Sequence, residues 1–462
     1  MEWAVYPYFP DKSLLFARID AAIFNLLVPF SPILMILLLY TWPVMFAASL
    51  HNRYSKRFRS YLTTLIRPFL QARHRILSNP QPNSAFVRRP QLLLFLAIAT
   101  AIFLGVIPYR PDLNPSMTPV GVDAHFYIDA LNQMLQQSPA SAISYSMGNA
   151  WASSRPLLLV PMYLASLTGL VSVNQTVEAL PTILGPLLAL STFFFVKEGS
   201  GSERIAGIAS MLSVLSFTPT VGLWAGFYAN WLALSEAYLF LGMLFSIVKK
   251  NAMSKFIAMT LLSVGLLLTH PWTWLLILTI SMIYSITLWR DSPKTDIMRP
   301  LAVLIAIDII IDLTRSLFFG GPVATQDASA SLAQSGASQT LNFWLNITNG
   351  LFSAYNGLLA NAVVLAVSLI SMIFLSIRNR FERVLALWIA TGSIPLLFVS
   401  SLIQTRIIYD LPLSMMTSIG LFLVIRPLGS NQTQSNLAIL LMLLLNANYA
   451  LAAATNLVSA PF

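Results

Sequence analysis

Residues 92–108 read LLLFLAIATAIFLGVIP, an uncharged run between the pair Arg88-Arg89 and the acidic Asp112. An α-helix rises about 1.5 Å per residue and a bilayer's hydrocarbon core is about 30 Å thick, so such a run reads as a transmembrane helix. Similar blocks recur near 21–49, 157–172, 179–196, 205–221, 229–248, 256–269, 271–289, 300–319, 358–377, 384–402, 411–425 and 436–455. Strands that cross a membrane would be shorter and alternate between apolar and polar positions. The expected fold is therefore all-α, a polytopic transmembrane bundle of about 11–13 spans.

Composition agrees with that pattern. Hydrophobic residues make up 56% of the 462 positions and charged residues only 10%, where soluble domains carry about 25% charged. A net charge of +10 would suggest nucleic acid for a soluble protein. Here it reads as the Lys and Arg excess of cytoplasmic loops, and no nucleic-acid partner is expected. The absence of cysteine removes disulfides, thiolate metal sites and thiol nucleophiles. Four histidines in separate segments form no zinc pattern. Residues 1–20 lack a basic leader followed by a short apolar run, so no cleavable signal peptide is expected.

The stretch 51–90 holds Arg53, Lys56, Arg57, Arg59, Arg67, Arg73, Arg75, Arg88 and Arg89 without one acid, and is assigned to the cytoplasm. Residues 1–90 thus read as an N-terminal transmembrane helix with a basic connector, and 91–462 as the transmembrane core. Two external loops follow, about 109–156 and about 320–345. The basic clusters 197–204, 249–255, 290–299 and 378–383 all fall inside if 157–172 makes no full crossing. Pro156 and Pro161 suit a partial insertion there.

The first external loop carries Val120-Gly121-Val122-Asp123-Ala124-His125-Phe126-Tyr127-Ile128-Asp129-Ala130-Leu131. Phe126, Tyr127, Ala130, Leu131, Met134 and Leu135 recur at helical spacing, which predicts an amphipathic helix lying in the outer interface. Asp123 stands just before it, either as an N-cap or as a general base at the membrane surface. Asp308, Asp312 and Arg315 share one helical face of the ninth span, as a structural ion pair or as the lining of a polar cavity. Arg406 lies outside, against the positive-inside trend, with Asp410 as its expected partner. A guanidinium there suits the oxygens of a phosphate, or snorkels to lipid headgroups. His270, in Thr269-His270-Pro271-Trp272, reads as a helix terminator or a site group, and Glu236 is a buried carboxylate without a partner that the sequence names.

This organisation resembles the GT-C class of polytopic membrane glycosyltransferases, the group of protein O-mannosyltransferases, oligosaccharyltransferases and aminoarabinose transferases. The resemblance rests on a large first external loop with interfacial helices and an acidic residue, here 121–131 with Asp123. The turn at Thr269-His270-Pro271 and the segment 406–412 are similar to elements of prokaryotic relatives. The mannosyltransferase acidic pair is Asp123-Ala124 here, and no WWDYG-like motif occurs.

The resemblance implies a polyprenyl-phosphate sugar donor and an inverting transfer to a glycan, lipid or protein acceptor at the outer face of the cell membrane. Asp123 would be the catalytic base. Arg406, with Arg315, would meet the donor phosphate, while His125, Asp129 and His270 would shape the substrate site. Some of the class use a divalent metal; no other cofactor is implied. Membrane lipids are expected partners, as are further subunits of a membrane complex. Two other readings stand beside this one: a non-catalytic GT-C-like scaffold subunit, and a transporter that uses Glu236, Asp308, Asp312 and Arg315 inside the membrane.

Overall fold

The computed structural model describes residues 33–41, 88–115, 118–148, 155–249, 252–291, 297–321, 323, 362–375, 379–394, 406–425 and 432–456. All regular structure among them is helical. In chain order the helices are α1 (Pro90–Val106), α2 (Ala124–Leu135), α3 (Pro139–Gly148), α4 (Pro156–Leu167) and α5 (Val173–Ser200). Then come α6 (Glu203–Val214), α7 (Phe217–Ala225), α8 (Tyr228–Lys249), α9 (Met253–Thr269) and α10 (Pro271–Asp291). The series ends with α11 (Met298–Phe319), α12 (Ala362–Phe374), α13 (Arg380–Ser393), α14 (Leu413–Ile425) and α15 (Gln432–Asn456).

Six helical stretches among the described residues are long and apolar enough to cross a membrane: Pro90–Tyr109, Val173–Ser200, Glu203–Ala225, Tyr228–Lys249, Pro271–Asp291 and Gln432–Thr455. The chain is a multi-pass membrane protein. Helix α11 is as long, with 22 residues, but carries Arg299, Asp308, Asp312 and Arg315. The segment expected at 157–172 is helical only over Pro156–Leu167; its 12 residues reach about 18 Å, short of a crossing. Most of the expected first span, the connector 51–90 up to its last three residues, and the loop 320–345 beyond its first positions lie outside the described residues.

Helix α5 is the hub, packed on α1, α6 and α8. Its seam with α1 is made of small residues. A Cβ on Gly105 would sit 2.9 Å from the Thr182 backbone nitrogen, and one on Gly185 would sit 2.9 Å from the Ala101 Cβ. Ala101 and Gly105 thus form a small-xxx-small face that lets the backbones approach where lipid supplies no hydrophobic drive.

The block 205–221 is not one helix. It breaks at Leu215 and Ser216, where the Ser216 hydroxyl caps α7 by accepting from the Thr218 N–H. Pro219 explains the break, because it has no N–H to offer the Leu215 carbonyl and its ring crowds that oxygen. Such a break is tolerated at membrane depth only inside protein, and every residue from Leu212 to Leu223 is buried, Ser213, Ser216, Thr218 and Thr220 included.

The helix ends sort by charge. At one end, ion pairs join α8 to α5 (Lys249 to Glu198, 3.2 Å), α5 to α6 (Lys197 to Glu203, 2.6 Å) and α13 to α10 (Arg383 to Asp291, 2.7 Å). The opposite end gathers the starts of α8, α10 and α14, the ends of α7 and α9, and the loop that leads into α2.

Candidate functional site

The loop before α2 is clamped to the turn between α7 and α8. Val122 and Asp123 donate backbone N–H bonds of 3.0 Å to the carbonyls of Trp224 and Ala225. The approach requires glycine on both sides. Gly121 (φ +115°) would set a Cβ 2.8 Å from the Leu223 oxygen, and Gly226 (φ +69°) would set one 3.0 Å from the Asp123 nitrogen. Two tyrosines fasten the pairing: Tyr228 donates to the Val120 carbonyl at 3.0 Å, and the Tyr127 hydroxyl accepts from the Ala229 N–H at 3.2 Å.

This clamp fixes Asp123. It occupies the cap position of α2, yet its side chain makes no capping bond. Instead Asp123 Oδ2 lies 3.2 Å from Arg406 Nη2. Arg406 also donates Nη1 to Asn230 Oδ1 on α8, and its guanidinium carbon sits 3.9 Å from the centre of the Phe227 ring, a cation–π contact. The pair is half-enclosed, with Arg406 15% and Asp123 18% exposed.

Asp410, expected as the partner of Arg406, faces a different neighbour. It follows Arg406 by one helical turn, with its N–H on the Arg406 carbonyl at 3.1 Å. Its carboxylate accepts from the Thr273 hydroxyl at 2.7 Å. That hydroxyl lies 2.9 Å from His270 Nδ1, which also accepts the Thr273 backbone N–H at 3.3 Å. Burial pushes the Asp410 carboxyl up to about 7, opposed by the Thr273 hydroxyl, the Arg406 charge and Asn230. Burial also holds His270 well below the usual imidazole range, helped by the positive charges of Arg406 and Arg155. His270 is therefore a neutral imidazole at pH 7.

Three residues singled out in the sequence thus meet: Asp123, Arg406 and, through Thr273 and Asp410, His270. The other three are engaged elsewhere. His125 and Asp129 are exposed on α2, with the His125 ring 3.9 Å from that of Phe126. Phe126 is 43% exposed. It lies one residue from Tyr127, about 100° around the helix, and the packed stripe runs through Ala124, Tyr127, Leu131 and Met134. Arg315 is buried and bonds Asp312 at 2.7 Å and the Met147 carbonyl at 2.9 Å, so it ties α11 to the end of α3.

Sequence reasoning missed Asn230 and Arg155. Arg155 is 9% exposed, lies 5.6 Å from the Tyr127 ring centre, and its charge reaches His270. A signal for it existed: Arg110 and Arg155 are the two cations of the loop 109–155, and Arg110 has Asp112 two residues away. Asn230 gave no such signal, being one uncharged polar residue in an apolar block.

Among the described residues, no group of three or more His, Asp or Glu gathers as a set of metal ligands. No family model matches the chain, and no curated protein matches it.

Proposed function

We propose that the chain is a membrane glycosyltransferase of the GT-C kind, which moves a sugar from a polyprenyl-phosphate donor to an acceptor hydroxyl at the outer face of the cell membrane. The observation that carries this reading is the Asp123–Arg406 pair, a carboxylate and a guanidinium joined across 283 residues and held on Asn230 and Phe227. A base for the acceptor and a cation for the leaving group are the two charges this transfer needs.

In the reaction the acceptor oxygen attacks the anomeric carbon as the bond from that carbon to the phosphate oxygen breaks. The acceptor's proton passes to the Asp123 carboxylate, and the phosphate departs with the bonding electron pair, its charge met by Arg406. Attack opposite the leaving group inverts the anomeric centre. The exposed basic end of the bundle suits the cytoplasm, which turns Asp123 and Arg406 outward. The donor's prenyl tail would lie between helices, and the neutral His270 and buried Arg155 would border the sugar.

The test is transfer by purified protein from a panel of radiolabelled polyprenyl-phosphate sugars, with native membrane extract as the source of acceptor. Wild type transfers; Asp123→Asn and Arg406→Ala, folded by size-exclusion and melting, do not. A folded wild type that neither transfers nor binds any of these donors would leave the scaffold reading.

One observation favours transport as a second reading. Glu236 bonds Thr269 at 3.2 Å and Asp308 accepts from Ser263 and Trp274, but Glu236 Oε2 and Asp308 Oδ1 are buried without a hydrogen bond among the described residues. Solute flux in proteoliposomes that Glu236→Gln abolishes and Asp123→Asn leaves intact would replace the enzyme with a transporter.

A further inference from the structure

A base bonded to an arginine is not ready to take a proton, and an arginine bonded to a carboxylate is not ready to take a phosphate. Both conditions hold in the site as it stands, with Asp123 Oδ2 on Arg406 Nη2 at 3.2 Å. We propose that Asp123 and the donor phosphate are alternative partners of the Arg406 guanidinium, with Asn230 and Phe227 as the positioning residues that hold it through the exchange. The inference rests on the reading of Arg406 as the phosphate receiver and adds the order of events.

The geometry argues for exchange over simple addition. A guanidinium captures phosphate best through two parallel N–H bonds. Both of its forks, Nε with Nη2 and Nη1 with Nη2, include the nitrogen that faces Asp123. A phosphate seated on either fork therefore lies against the Asp123 carboxylate, like charge beside like in a half-enclosed site. The remaining contacts can stay. Asn230 Oδ1 is a neutral acceptor for Nη1, fully buried on α8, and the Phe227 ring lies against the guanidinium carbon, 3.9 Å from ring centre to Cζ, and competes for none of its N–H groups as an anion would.

In this exchange the Asp123 side chain is the member that turns away, while its backbone stays clamped to the Ala225 carbonyl. Asp123 is 18% exposed and makes no capping bond, and among the described residues its side chain is held by Arg406 alone. Arrival of the donor phosphate would release the carboxylate toward the acceptor, and departure of polyprenyl phosphate would let the pair close again. The base is thus unmasked only when a donor is bound, which orders donor before acceptor deprotonation.

The prediction has an unusual sign: removal of the base's charge strengthens donor binding. Sugar-free polyprenyl phosphate is titrated onto wild type, Asp123→Asn, Asn230→Asp and Arg406→Ala in lipid nanodiscs, with binding read by intrinsic fluorescence and folding by melting. Asp123→Asn should bind about tenfold tighter, the fold-change that the weaker charge-assisted hydrogen bonds are worth. Asn230→Asp places a second anion on the guanidinium and should bind more weakly than wild type, while Arg406→Ala loses saturable binding. Equal affinity of wild type and Asp123→Asn would overturn the exchange and leave the function proposed above intact. Absence of binding by both, folded, would overturn the function reading and the exchange with it. Phosphatidylglycerol in the same nanodiscs is the second probe; tightening toward that lipid alone would overturn the assignment of the phosphate to the donor.

Discussion

Lys249–Glu198 at the basic end and Arg406–Asp123 at the opposite end are ion pairs of the same length, 3.2 Å, and they do different work. The first joins two helix ends with Lys249 half-exposed, a setting in which water and salt screen most of the attraction. The second is half-enclosed, and its guanidinium is pinned by an asparagine and an aromatic face as well. A third pair, Arg315–Asp312, is shorter at 2.7 Å, almost fully buried, and local to one helix. Distance alone therefore ranks these pairs wrongly. Enclosure, and whether the partners come from distant segments, separates a surface tie, a structural brace and a candidate site.

The largest expected effect is on transfer. Asp123→Asn should lower the rate roughly 10²–10⁴-fold, the range for loss of a general base, whereas Glu198→Gln should leave it unchanged in the same radiolabel assay. Next comes stability at the brace. Asp312→Asn leaves the Arg315 charge buried without its counter-charge and should cost about 3–5 kcal/mol, seen as a large fall in melting temperature in detergent. If Asp312→Asn melts like wild type, Arg315 and Asp312 are not a brace and their cavity-lining role returns.

Asp410 separates the two ends by pH. Its folded carboxyl sits near 7 against an ordinary value of 3.8. The folded state therefore holds this proton more tightly than the unfolded chain, so its stabilising contribution is present below 3.8 and is lost as pH rises through about 7. His270, held low, contributes the opposite slope below the ordinary imidazole value of 6.5. The clean quantity is the difference between proteins: Asp410→Asn should gain on wild type in melting temperature as pH rises from 3.8 to about 7, and no further above it. A difference that stays flat across the window would deny Asp410 its buried proton. The smallest effect is at the basic end, where Glu198→Gln should cost about 0.2–1 kcal/mol and less in high salt.

The bilayer made much of this legible in advance. Blocks such as 92–108 are long and uncharged because every backbone polar group must be satisfied within the helix, and that constraint writes itself into sequence. Asp123, His270 and Arg406 stood out because charged and polar groups beside such blocks need a reason to be there. Their convergence was not legible. Arg406 and Asp123 are 283 residues apart, and no local pattern encodes that meeting. The partner of Arg406 was sought four residues away at Asp410, where helical spacing permits it, and that carboxylate turned to Thr273 instead. Nor did periodicity mark the break in 205–221. Apolar residues continue through it, and only Pro219 with the serines at 213 and 216 carried the signal.

The most direct test of the central claim is to find which end of the bundle receives the donor. A polyprenyl phosphate with a diazirine beside its phosphate, photolysed in nanodiscs and mapped by peptide mass spectrometry, would mark the residues around the headgroup. The account predicts label on the Asp123 loop, on the start of α8 near Phe227 and Asn230, and near Arg406, diminished by Arg406→Ala. Label confined to the end that carries Lys249, Arg290 and Arg383, and indifferent to Arg406→Ala, would contradict it.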